Sequence, residues 1–198
     1  MSISLSLALF AQFDCVGISD MIYVTKQDLY ELGAARLELE SGEKIDDVDA
    51  STWELNYGQA HALAPPRCYL APLSTETDKI RLDDLEMGLG WTGVYKSFQD
   101  AFDDRMADLE TRRKGWKNLD ETAVPTLFWD AEEPEAVSSD NTQKTEHAAA
   151  YTSGGLASLS PNLSLPGAYY KCCSLFAFED EDEKDDLEDI LLSIISVE

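Results

Sequence analysis

The sequence predicts an α+β domain: a mostly antiparallel sheet with a few helices, one of them a long acidic amphipathic helix and another at the C-terminus. Three observations carry this. Several short segments alternate apolar and polar residues with a period of two, as strands with one wet face do. They do not recur with helices in the rhythm that builds a parallel βαβ sheet. Of the 198 residues 44% are hydrophobic, enough to bury a core despite a formal net charge of −24.

The elements follow in chain order. Ile3, Leu5, Leu7 and Leu9 alternate with small or polar residues, so 3–13 reads as a strand; without a basic flank it is no signal peptide. A short apolar run at 21–24 reads as a second strand. Thr25 with Asp28 has the spacing of a helix cap, giving a short helix over 26–32 that stops at Gly33. Strict alternation over 36–40 predicts a strand, turned at Ser41-Gly42. After Pro65-Pro66, 68–73 reads as a strand. Phe98, Phe102, Arg105, Met106 and Leu109 recur at helical spacing, predicting a helix over 97–113 with these residues on one face and Asp100, Asp104 and Asp108 on another. A short strand follows at 126–129. Over 137–167 the composition shifts to Ser, Thr, Asn, Ala, Gly and Pro. An aromatic strand at 168–178 leads into an acidic run and a helical stripe of Leu187, Ile190, Leu191, Ile194 and Ile195. The expected organisation is an α+β main domain over 1–136, a polar linker or long loop over 137–167, and a strand plus acidic helix over 168–198, packed on the main domain.

Charge is clustered. Residues 38–49 carry six acids and one lysine, 100–110 five acids and one arginine, 120–135 six acids and no base, and 179–189 nine acids and one lysine. Lysine outnumbers arginine, nine to six, which weighs against salt adaptation as the cause. Such a field repels nucleic acid and anionic membrane, and no apolar run reaches the roughly 20 residues of a membrane span.

Chemistry is sparse. Neither His61 nor His147 belongs to a metal-ligand pattern, and Asp46, Asp47 and Asp49 lack the glycine and distal glutamate of a calcium loop. The segment Gly88-Leu-Gly-Trp-Thr-Gly93 lacks the spacing and the lysine of a phosphate loop. No catalytic constellation, cofactor motif or metal site emerges, so the expectation is a non-enzyme. Cys15, Cys68, Cys172 and Cys173 form no regular framework, and reduced thiols in the cytoplasm are the simplest reading.

The functional expectation rests on the acids. Carboxylates at i, i+4 and i+8 lie about 6 Å apart along a helix, the scale of successive phosphates. This predicts an inhibitor that mimics nucleic acid on the basic surface of a nucleic-acid-binding enzyme, as anti-CRISPR and anti-restriction proteins do. The partner-binding candidates are Asp100, Asp103, Asp104, Asp108, Glu132, Glu133, Glu135, Glu179, Asp180, Glu181 and Asp182. The alternative is an immunity protein or antitoxin that blocks a cationic toxin. The C-terminal stripe either docks on the core or offers a seam for a partner or a homodimer.

Overall fold

The computed structural model describes residues 19–42, 50–85, 88–135 and 145–173. The chain divides into two compact units, Met1–Asp20 with Cys173–Glu198, and Met21–Cys172. The expected strand at 3–13, the C-terminal helix and the candidates Glu179 to Asp182 lie outside the described residues.

Seven strands form one sheet: β1 (Ser19–Thr25), β2 (Cys68–Leu70), β3 (Gly90–Tyr95), β4 (Lys117–Asn118), β5 (Ala148–Thr152), β6 (Gly155–Leu159) and β7 (Gly167–Cys173). Their order is β1-β7-β3-β5-β6, with β2 on β7 and β4 on β3. The β3–β7 pair is parallel; β2–β7, β3–β4, β3–β5 and β5–β6 are antiparallel. Five helices accompany the sheet: α1 (Lys26–Ser41), α2 (Tyr57–Ala62), α3 (Glu76–Asp84), α4 (Phe98–Asp103) and α5 (Leu109–Arg112). The fold is α+β with a mostly antiparallel sheet, as expected.

The sheet is buried on both faces. Successive strand residues point to opposite sides. Tyr169, Tyr151 and Ala149 join one cluster with Leu73, Val94, Trp116, Phe128 and Leu156. Ala168, Tyr170, Ala148 and Ala150 join another with Leu29, Leu55, Leu70 and Trp91. Burying each large side chain contributes about 1.5–3 kcal/mol. Two buried aromatics also use their polar ends: Trp91 Nε1 donates to Leu55 O at 2.8 Å and Tyr170 Oη to Ala60 O at 2.6 Å. These bonds fix the 55–62 segment over its face of the sheet.

Four sequence expectations change. The stretch 137–167 reads as a linker by composition, yet 148–159 forms the β5–β6 hairpin. Its alanines are small enough to be covered on both faces, so low complexity here reflects tight packing. The alternating segment 36–40 is helical. Thr25 accepts from Asp28 N as the predicted cap, but Gly33 does not end α1; Gly42 does, at φ 72°. Arg, Leu and Glu are good helix formers, and alternation over five residues does not outweigh that. Residues 126–128 form a 3-10 turn, with Trp129 bridging to Leu156. Lastly, Cys68 and Cys172 are bonded as a disulfide, which corrects the reduced-thiol reading. They are directly opposed in the β2–β7 register and 104 residues apart in sequence, so spacing alone hides the pair. Cys173 is disulfide-bonded as well.

Gly90 and Gly93 serve packing. A Cβ on Gly93 would lie 2.5 Å from Leu70 O, so only glycine lets β3 cross that backbone.

Candidate binding cleft

A cleft lies between α1 and the segments that carry Trp53 and Leu63. Tyr30, Gly33, Ala34, Arg36 and Leu37 supply the helix side; Trp53 and Leu63 supply the opposite wall. The cleft holds about 260 Å³, just under the range of typical small-molecule pockets. Its residues recur at three and four along α1, so one stripe of the helix faces it. The N-terminal part of that stripe (Leu29, Tyr30) is buried, whereas Leu37 is 55% exposed. The helix therefore carries its apolar stripe beyond the core that covers it.

Three side chains clamp α1 to the backbone across the cleft. Lys26 Nζ donates to Trp53 O at 3.0 Å, Tyr30 Oη to Glu54 O at 2.6 Å, and Arg36 Nη2 to Ala64 O at 3.3 Å. Burial, then the nearby Glu54, pushes the Tyr30 hydroxyl above its ordinary range, which keeps it a donor. The Trp53 ring stands edge-on to Tyr30, centroids 4.3 Å apart at 88°. Trp53 is 48% exposed, while Trp91, Trp116 and Trp129 are buried. One indole is thus fixed in place and still faces solvent. Among the described residues of the lining, Arg36 is the one charged side chain.

The acidic candidates do not form the expected ladder. The helix over 97–113 is broken into α4, a 3-10 turn (Asp104–Met106) and α5, with Ala107 extended between them at φ −77°, ψ 166°. Capping explains the break. Ser97 accepts from Asp100 N and donates from its own hydroxyl to the Asp100 carboxylate, starting α4. Asp108 accepts from Thr111 N at 2.8 Å and starts α5; that bond holds its carboxyl below the ordinary range. Capping residues prefer non-helical backbone, so Asp108 ends one helix path by beginning another. Asp103 accepts from Gln99, and Asp104 pairs with the buried Lys96 at 2.6 Å. Glu132 and Glu135 are exposed. Glu133 turns inward, and one of its oxygens accepts from the backbone and hydroxyl of Ser158 at 3.1 Å. Arg112 and Arg113 hold that loop through the carbonyls of Asp130, Ala131, Glu133 and Pro134.

The apolar face of this segment is largely exposed: Phe98 is 57% and Met106 86% exposed, and Phe102 is stacked under Arg105. His147 stands edge-on to Phe98 and is half-buried.

No family model and no curated protein matches the chain. Among solved structures, it is similar to the C-type lectin carbohydrate-recognition domains of the mouse and human scavenger receptors. For the mouse domain the TM-score is 0.43 at 17% identity, over 62% of this chain and 84% of that one. For the human domain it is 0.46 at 16% identity, over 63% and 88%. The C-type lectin CEL-I from Cucumaria echinata matches with a TM-score of 0.38 at 14% identity, over 61% and 84%.

The nucleic-acid-mimic expectation, with its basic nucleic-acid-binding partner and its immunity-protein alternative, is corrected by the geometry of the acids: the evenly spaced carboxylate ladder is dissolved into caps and internal pairs. Among the described residues no three His, Cys, Asp or Glu side chains are grouped to hold a metal ion, and no helix is long and apolar enough to cross a membrane.

The sequence reading missed Tyr30, Arg36, Leu37 and Trp53. The mispredicted strand over 36–40 hid Arg36 and Leu37.

Proposed function

We propose that this chain is a non-catalytic recognition domain that takes an apolar portion of its ligand in the cleft between α1 and Trp53. The observation that carries the reading is the half-exposed Trp53 indole, locked edge-on against Tyr30 beside uncovered Leu37. A large aromatic held rigidly at a solvent boundary loses little entropy when a ligand covers it. Concave, mostly apolar lining with few polar groups is the usual make-up of small-ligand sites. The Cys68–Cys172 disulfide fits work in an oxidising compartment.

A sugar ring is the second reading, and the same indole favours it, since an exposed aromatic face accepts ring C–H bonds. It ranks second because the Tyr30 hydroxyl is already committed to Glu54 O, leaving Arg36 as the charged donor for sugar hydroxyls.

Calorimetric titration with octanol, and separately with mannose and N-acetylglucosamine oligosaccharides, tests both. Saturable octanol binding that Trp53→Ala weakens about tenfold and Leu37→Asp abolishes supports the first. Saccharide binding with the same Trp53 dependence transfers the conclusion to the second. Binding that ignores both substitutions removes the cleft from the account.

A further inference from the structure

We infer that the cleft selects amphiphiles with an anionic head, of the acyl or aryl carboxylate class, and that Arg36 reads the head. This deepens the proposed function and rests on it. The first observation is charge. In a chain of net charge −24, the described residues of the cleft lining include no acid and one cation, Arg36. The second is donor capacity. A guanidinium carries five N–H donors in a fixed fork suited to a carboxylate. The one contact of Arg36 described above is the 3.3 Å bond from Nη2 to Ala64 O. That bond holds the side chain across the cleft and leaves the rest of the fork for a ligand. Arg36 is exposed, so a carboxylate reaching it stays partly hydrated while its apolar body lies between Leu37 and Trp53.

Size completes the class. A volume of about 260 Å³ equals about nine water-sized groups at ~30 Å³ each, the scale of one aromatic ring with a short tail or a medium-length acyl chain. The overall negative field disfavours anions at long range but is screened beyond ~8 Å at physiological salt. Contact with Arg36 acts inside that range.

The test uses the full chain and three eight-carbon probes, octanoate, octanol and octyltrimethylammonium, titrated calorimetrically at physiological salt. We expect octanoate to bind most tightly and octyltrimethylammonium least. Arg36→Gln should weaken octanoate about tenfold, the scale of a charge-assisted hydrogen bond. It should leave octanol within about twofold, since the apolar walls are untouched. Arg36→Lys, which keeps the charge without the fork, should restore part of the octanoate affinity. Near-UV circular dichroism of each variant checks that the fold is kept. If Arg36→Gln weakens octanoate and octanol equally, or if octyltrimethylammonium binds as well as octanoate, the charge reading is overturned while the apolar cleft stands. If none of the three binds, the cleft reading itself fails and this inference falls with it.

Discussion

Asn118 is the most consequential polar residue of the core, and replacing it should cost more than removing a large surface side chain. Its side chain is fully buried. Oδ1 accepts from Leu73 N at 2.8 Å, and Nδ2 donates towards Leu73 O at 3.2 Å and the hydroxyls of Ser74 and Thr122 at 3.0 Å. The amide therefore substitutes for a strand partner, satisfying both backbone groups of Leu73 where no ladder reaches them. Asn118→Ala leaves that N–H and C=O unpaired in the core at about 1–3 kcal/mol each. A net loss of about 3 kcal/mol follows, or a fall in Tm of about 6–12 °C for a chain of this size. Asn118→Asp keeps the acceptor for Leu73 N but sets a carboxylate oxygen against Leu73 O. It should cost at least as much at neutral pH. Burial raises the folded pKa of such a carboxyl above its unfolded value, so the neutral acid is favoured in the fold. The Asp variant should therefore recover relative to the Ala variant as pH falls towards 4, when the protonated oxygen can donate. Urea unfolding followed by near-UV circular dichroism measures both. An Asn118→Ala variant within about 0.5 kcal/mol of the parent, at unchanged m-value, would refute the satisfaction argument.

Two further expectations follow from the same physics. Burial holds the hydroxyls of Tyr57, Tyr151, Tyr169 and Tyr170 well above the ordinary value of 10.0, and the bond to Glu121 pushes Tyr95 to about 12. Folded-state values raised above unfolded ones favour the neutral form in the fold. Their stabilisation is complete below pH 10 and is lost as pH rises through the folded values; tyrosinate absorbance should lag and then appear together with cooperative unfolding. A smooth titration near pH 10 in the intact fold would contradict it. The Cys68–Cys172 bond closes a long loop, for which the chain-entropy limit is about 4.7 kcal/mol. A Cys68→Ala/Cys172→Ala variant should lose about 2–4 kcal/mol in urea unfolding, and a loss under 1 kcal/mol would contradict the claim that this staple secures β2 to β7.

Much of the fold was legible, and the site was not, for a physical reason. Short apolar and aromatic runs reported β1 and β7 because strands covered on both sides carry apolar residues without a break. The Thr25 cap was legible because three-residue spacing specifies a bond directly. The ladder of Asp100, Asp104 and Asp108 failed on the same chemistry: Ser97 with Asp100, and Asp108 with Thr111, are cap spacings too. Two caps eleven residues apart describe two short helices rather than one. The apolar positions Phe98, Phe102 and Met106 kept helical spacing without being buried, since periodicity shows which residues share a face and not whether the face is covered. The cleft needed α1 to run on to Ser41, and five alternating residues disguised that.

The central claim is that Trp53 and the exposed stripe of α1 form a binding cleft. The most direct measurement follows the four tryptophan indole N–H resonances by NMR as octanol is added to the full chain. The account predicts that the Trp53 resonance moves saturably while those of Trp91, Trp116 and Trp129 stay in place. A Trp53 resonance that does not move, or four that move alike, would contradict it.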